Sequence, residues 1–209
     1  GIPAEPLFRS GRRFIRSRAI LFEEEAEKWS PEEIASAALK YKRNGNIGVA
    51  FTYNEPLIGY EFVRDTAKLV HEKGMYNVLV SNGTASLKVL EELSPYIDAM
   101  NIDLKAFSED GYKWMGGDFK TTKNTIRLSL EAGVHVEVTT LVIPGINDDS
   151  DMMRSEAMWI SKLRKDIPLH LSRYFPRYKL QTEATPVATL YRLQEISQEC
   201  LDYVYLGNV

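Results

Sequence analysis

The chain has 209 residues and a mass of 23.8 kDa, a length that a single α/β domain fills around one core. With 26 basic and 29 acidic side chains the net charge is −3, so the overall charge does not favour nucleic acid as a general partner. No apolar run is long enough to span a bilayer and no signal-type apolar segment opens the chain; Cys200 is the single cysteine, which excludes an internal disulfide framework and a Cys-x-x-Cys metal site, and a cytoplasmic location is the default expectation.

Residues 1–29 differ in texture from the rest. A basic run (Arg9, Arg12, Arg13, Arg16, Arg18) is followed at once by Glu23, Glu24, Glu25 and Glu27, a pattern expected of a solvated terminal segment more than of a phosphate-binding arm. Regular structure begins at Ser30-Pro31-Glu32-Glu33, with Ser as N-cap, Pro at N1 and Glu at N3. The helix runs to about Arg43 and stops at Asn44-Gly45. A strand over 47–52 leads to Tyr53-Asn54-Glu55-Pro56 and a long helix to Lys73. A strand over 77–80 ends in Ser81-Asn82-Gly83, a helix covers about 85–92, and a strand over 97–103 ends in Asp103-Leu104-Lys105. A short helix and turn (108–117) and a helix (about 122–132) lead to a strand over 134–142, which ends in Pro144-Gly145. A helix (about 151–163), a strand (169–175), a last helix (about 187–200) and a closing strand (203–207) complete the order.

Strands alternating with helices predict right-handed βαβ units and a parallel sheet. About five units plus a closing strand fit an open or partial barrel better than a full eight-unit one. Functional side chains then belong at the C-terminal strand ends, where the loops converge. Asn54 and Glu55 offer an amide and an acceptor. Ser81 and Asn82 sit on a polar turn suited to hydroxyls. Asp103 and Lys105 share a strand face and supply one charge of each sign. Thr139 and Thr140 are polar points on a β-branched strand. His170 and Ser172 share a face of the last main strand, and Arg173 faces the other way. Such a ring suits a zwitterion joined to a sugar: a carboxylate on Lys105, an ammonium near Glu55, hydroxyls on Asn82. Each residue also has a structural explanation. Asp103 and Lys105 serve as an ion pair closing a barrel end, Asn82-Gly83 as a turn, Glu55 as a helix N-terminal acid, and His170 as a core histidine.

Six segments carry a family resemblance: residues 51–57, 80–83, 100–107, 136–148, 170–176 and 203–209. In order, they resemble the strand ends of the radical S-adenosylmethionine (SAM) enzymes of the AmmeMemoRadiSam system, which are similar to pyruvate formate-lyase activating enzymes. The resemblance covers about residues 30–209 and implies a partial (βα)6 barrel with SAM and a [4Fe–4S] cluster at its mouth. By this likeness, Tyr53-Asn54-Glu55-Pro56 stands where a Gly-Gly-Glu motif holds the methionine ammonium. Ser81-Asn82-Gly83 and Asp103-Leu104-Lys105 match strand ends that approach SAM. Pro144-Gly145 lies beside the adenine, and residues 170–174 near the ribose. The resemblance therefore names Asn54, Glu55, Ser81, Asn82, Asp103, Lys105, Thr140, His170, Ser172 and Arg173 as cofactor-binding residues.

The family also carries Cys-x3-Cys-x2-Cys after its first strand, ahead of the helix that begins here near Ser30. Three thiolates bind three irons. This chain has no cysteine there: residues 1–29 stand in place of the cluster loop, and the first strand is lacking or replaced. Truncation, a disturbed gene start and true loss of the cluster all fit. The expectation is a radical SAM-type barrel that keeps its SAM-side residues and names no metal ligand. Its substrate is a protein or a small molecule, with neither nucleic acid nor membrane as partner. The alternatives are a non-catalytic barrel that binds a nucleotide-like ligand or acts as a scaffold, and an aldolase using Lys105 as a Schiff-base amine.

Overall fold

A computed structural model of the chain describes residues 28–176 and 180–209, so the basic N-terminal run lies outside the described residues. Among the described residues seven α-helices and six β-strands follow one another, with α4 and α5 both between β3 and β4: α1 Pro31–Lys40, β1 Gly48–Phe51, α2 Tyr60–Glu72, β2 Tyr76–Ser81, α3 Leu87–Leu93, β3 Ala99–Asp103, α4 Glu109–Trp114, α5 Phe119–Glu131, β4 His135–Val142, α6 Ser150–Leu163, β5 Leu169–Arg173, α7 Val187–Gln198 and β6 Val204–Gly207.

All six strands are parallel and lie in the order β1-β2-β3-β4-β5-β6. Every crossover therefore steps in one direction. Right-handed crossovers that never reverse put all the helices on one face and curl the sheet around the other. This is the partial (βα)6 barrel, α/β in class, that the sequence predicts.

Strand alternation sorts the side chains. Phe51, Leu79, Met100, Ile102, Val136, Val138, Leu169, Leu171 and Val204 point outward and are buried against Val63, Ala67, Leu90, Ile126, Met153, Ile160, Leu190 and Leu193 of the helices. The opposite, interior face carries Asn101, Asp103, Glu137, Thr139, His170, Ser172 and Tyr205, all half-buried. One wall is thus apolar and dry, the other polar and lining the barrel.

Local chemistry explains the element bounds. Ser30 Oγ accepts from the Glu33 amide while the Glu33 carboxylate accepts from the Ser30 amide, a complete capping box. Two predicted helices are shorter than their sequence patterns. Residues 41–44 tighten into a 3₁₀ turn ending at Gly45 (φ 84°), and residues 56–59 form another, because Glu55 caps Leu57 before α2 begins. Strand β3 starts at Ala99 rather than Ile97, since residues 94–96 form a 3₁₀ turn and Asp98 turns its carboxylate onto the Asn77 amide.

Candidate ligand-binding site at the strand ends

The C-terminal ends of β1, β2 and β3 enclose a concave pocket of about 160 Å³. It is lined by Tyr53, Asn54, Glu55, Val80, Ser81, Asn82, Asp103 and Lys105, which includes six of the ten predicted site residues. Tyr53 and Asn54 both take the left-handed conformation, with φ of 67° and 49°. This backbone disfavours side chains that carry a Cβ, so two such residues in succession mark a strained, purpose-built turn.

Glu55 holds the pocket rim together. Its carboxylate accepts from the Leu57 amide (3.1 Å), the Ser81 hydroxyl (2.8 Å) and the Asn82 amide (2.8 Å), joining the β1 loop to the end of β2. The turn after β2 is clamped from behind as well. Thr125 donates to the Gly83 carbonyl at 2.7 Å and Thr122 to the Asn82 carbonyl at 3.3 Å. Lys105 Nζ lies 2.7 Å from Asp103 Oδ2, and both side chains keep about two-fifths of their surface exposed toward the pocket. A basic and an acidic group side by side, with an amide and hydroxyls opposite, match the donor set of an amino-acid zwitterion and a sugar.

The stretch bearing Asp103 and Lys105 is held by residues that strand alternation alone does not reveal. Beyond Asp103 the strand ladder ends, yet the peptide unit joining Leu104 to Lys105 is tied at both edges. The Leu104 carbonyl accepts from the Thr140 hydroxyl (2.9 Å), and the Lys105 amide donates to the Tyr112 phenol oxygen (3.3 Å). The buried Asn147 amide then donates to the Lys105 carbonyl (2.7 Å) and to the Leu141 carbonyl (2.8 Å). Thr140 Oγ also lies 2.5 Å from Oε1 of Glu156, a fully buried carboxyl on α6. Burial pushes Glu156 up to about 8, against a smaller opposing effect from Thr140. Burial likewise pushes the Tyr112 phenol up.

Four predicted residues lie outside the pocket. Thr140 points to the helix layer, because it shares its strand face with buried Val138 and Val142; it is a support of the pocket, not a contact surface for a ligand. Arg173 likewise faces outward, donating to the Thr185 carbonyl and lying 4.8 Å over the Phe175 ring. It anchors the segment before α7. His170 and Ser172 do face the barrel interior, across from the pocket. His170 Nε2 lies 2.8 Å from Glu137, stacks on Tyr205 and is half-buried. His135 approaches the same carboxylate at 3.4 Å, and the two imidazoles hold Glu137 down to about 2.

Glu156 had a readable signal: an acid within the apolar stripe Met153, Ala157, Ile160 of α6. Asn147 and Tyr112 had none, since each acts through a loop or a six-residue helix whose position is set by tertiary packing.

Comparison with known proteins agrees with this geometry. The chain is 37% identical over 183 residues to an uncharacterized protein of Methanocaldococcus jannaschii, covering 86% of this chain and 54% of that protein. It is 28% identical over 148 residues to the pyruvate formate-lyase-activating enzyme of Clostridium pasteurianum (68% of this chain, 61% of that one). It is 30% identical over 132 residues to the (2S)-3-sulfopropanediol dehydratase activating enzyme of Klebsiella oxytoca (62% and 41%). The chain thus spans about half the length of these relatives. The fold matches a domain of a pyruvate-formate lyase-activating enzyme from Bacteroides vulgatus, with TM-score 0.67, 21% identity, and coverage of 77% of this chain and 99% of that one. It also matches Streptococcus suis SuiB bound to S-adenosylmethionine, with TM-score 0.68, 14% identity, and coverage of 88% and 44%. The model of the Radical SAM superfamily matches residues 14–155, reaching upstream of the boundary that the sequence pattern places at Ser30. With two-thirds of its length matched by that model and its polar strand ends gathered at one mouth, the chain belongs to the Radical SAM superfamily.

Proposed function

We propose that this chain binds S-adenosylmethionine at the pocket between β1, β2 and β3, as a relative of the activating enzymes of glycyl-radical systems. The observation that carries this reading is the convergence of Asn54, Glu55, Asn82, Asp103 and Lys105 on one concave surface. In this reading Lys105 holds the SAM carboxylate. Backbone acceptors of the left-handed turn at Tyr53 and Asn54 take the ammonium, and Asn82 takes a ribose hydroxyl. Glu55 keeps the rim in place rather than meeting the ligand with all its oxygens, since three donors already occupy it.

The superfamily pairs SAM with a [4Fe–4S] cluster, which supplies the electron for radical formation. The residues of this chain do not fit that cluster. Its single cysteine, Cys200, follows α7, which runs back along the sheet and so ends opposite the pocket. Among the described residues no group of three or more His, Cys, Asp or Glu side chains converges as a metal site. The proposal accordingly assigns the pocket residues to the SAM side alone and none of the described residues to the cluster. The polar lining of the same pocket also suits a second reading, a nucleotide-binding barrel without radical chemistry. A protein or peptide is the substrate class the likeness to activating enzymes supports, and that assignment belongs to the first reading.

Calorimetric titration with SAM is the test. Binding is expected, and Lys105→Ala is expected to weaken it at least tenfold, about the worth of one charge-assisted contact. No binding by the unaltered chain overturns the proposal. Anaerobic reconstitution with iron and sulfide separates the two readings: about four irons per chain, with the absorbance of a cluster, assigns the whole radical site to this chain, and a colourless protein leaves it a ligand-binding barrel.

A further inference from the structure

Thr140 Oγ lies between the Leu104 carbonyl (2.9 Å) and Glu156 Oε1 (2.5 Å), and all of these groups are buried. A hydroxyl has one hydrogen to donate. If Glu156 were ionised, both neighbours would be acceptors competing for that hydrogen, and one buried acceptor would be left unsatisfied. If Glu156 carries the proton, the bonds form a directed chain: the carboxyl donates to Thr140, and Thr140 donates to Leu104.

We propose that Glu156 is a positioning residue for the pocket, acting as a neutral acid through Thr140 to fix the peptide between Asp103 and Lys105, so that ligand affinity at Lys105 follows the proton on Glu156. The inference rests on the ligand-binding reading above for its effect on SAM, and on geometry alone for its effect on the peptide.

Thr140 is the side chain that meets Oε1 of Glu156. No cation pairs with it among the described residues. From α4 the buried Tyr112 phenol faces the same region and holds the other edge of the same peptide unit. From α5 Lys123 packs toward α6, but its ammonium sits among the rings of Phe107, Phe119 and Trp159 at 4.8–5.1 Å. The Arg154–Glu199 pair and the Arg192–Ser150 contact of α6 with α7 are exposed. On β3, Asp103 and Lys105 pair with each other. The burial that raises Glu156 to about 8 places its loss of a proton within a range the folded protein can be held at. On ionisation Glu156 becomes the acceptor of the Thr140 hydrogen, and the Leu104 carbonyl loses its donor.

The test follows two signals across pH 6.5 to 9.5, a window centred on about 8. In the free protein, the backbone amide resonance of Lys105 is expected to shift with the carboxyl resonance of ¹³C-labelled Glu156, and to stay still in Glu156→Gln, whose amide remains a donor at every pH. In calorimetry, SAM affinity is expected to fall about fivefold more in the unaltered chain than in Glu156→Gln over this range, the worth of one hydrogen bond. Thr140→Val, which breaks the chain of bonds, is expected to be weaker by a similar factor at all pH values and to follow the Gln profile. The comparison with Glu156→Gln cancels every pH dependence that the variants share. A Lys105 amide that ignores Glu156, or parallel affinity profiles for the unaltered chain and Glu156→Gln, overturns the inference. A coupled amide shift with no SAM binding by any variant sustains the positioning role and overturns the ligand reading instead.

Discussion

Glu55 and Ser81 stand 26 residues apart in sequence and meet through a 2.8 Å hydrogen bond that ties the first two strand ends together. The same carboxylate accepts from the Asn82 and Leu57 amides. Glu55→Ala leaves these donors without a charged partner and is expected to lower stability by about 2 kcal/mol. Urea denaturation measures the loss. Because the strained turn at Tyr53 and Asn54 depends on the same anchor, SAM affinity is expected to fall with it.

Lys105 contrasts with Glu55. Its pairing with Asp103 is partly exposed to water, so the pair is worth at most about 1 kcal/mol to the fold. Lys105→Ala is expected to leave the urea midpoint almost unchanged while removing most SAM affinity. A large drop in stability would mean that the pair is a strut of the barrel end.

Glu156 makes stability depend on pH. Its carboxyl lies above the ordinary value of 4.5, at about 8, so between these values the native chain holds a proton that the unfolded chain has lost. Stability therefore falls as pH rises from about 4.5 to about 8, by roughly 1.4 kcal/mol per unit while the full proton difference lasts, and levels off above. Glu156→Gln is expected to flatten this slope and to exceed the unaltered chain in stability at pH 9. Thermal melts across the range show whether the two curves cross.

Glu137 behaves in the opposite sense. Held down to about 2 by His135 and His170, it contributes stability that is present above 4.5 and is lost as pH falls toward 2. His135 is raised by the same carboxylate, so its share is fully present below about 6.5 and is lost as pH climbs through its higher folded value. The contribution of the cluster is greatest between these limits. The stability difference between the unaltered chain and Glu137→Gln is expected to peak near pH 5 to 6 and shrink on either side.

Gly83 and Gly145 separate conformational strain from collision. Both take positive φ, 73° and 77°. A Cβ on Gly83 would stand 2.9 Å from the Ile102 side chain and 3.0 Å from that of Thr122, whereas one on Gly145 meets nothing within 4 Å. Gly145→Ala is expected to cost about 1 kcal/mol and Gly83→Ala about 3 kcal/mol, as backbone strain and overpacking add. Calorimetric melting points rank them.

The order and type of the elements were legible because most strands are short runs rich in apolar and β-branched residues and five of the seven described α-helices begin at a side-chain cap, as at Ser30. The pocket was legible for a related reason: parallel strands gather their last residues, and here those are Glu55, Ser81, Asn82, Asp103 and Lys105. Polarity at a strand end was a poorer guide to direction. Thr140 and Arg173 are polar and near the mouth, but strand parity turns them toward the helices. Where the 3₁₀ turns at 41–44 and 56–59 cut the first helices short, local caps outweighed a longer helical pattern.

The amino-acid sequence alone determined that Asp103 closes a strand with Lys105 two residues further on, because an apolar run ends there and alternation is a property of the backbone. Only the tertiary structure decided what holds them there. The peptide between them is tied by Thr140 and Tyr112, and Asn147 grips the carbonyl of Lys105. Behind Thr140 lies Glu156, whose burial keeps it neutral. These groups come from β4, α4, the loop after β4 and α6, and they meet because the helices pack on a single face of a sheet that never reverses its order.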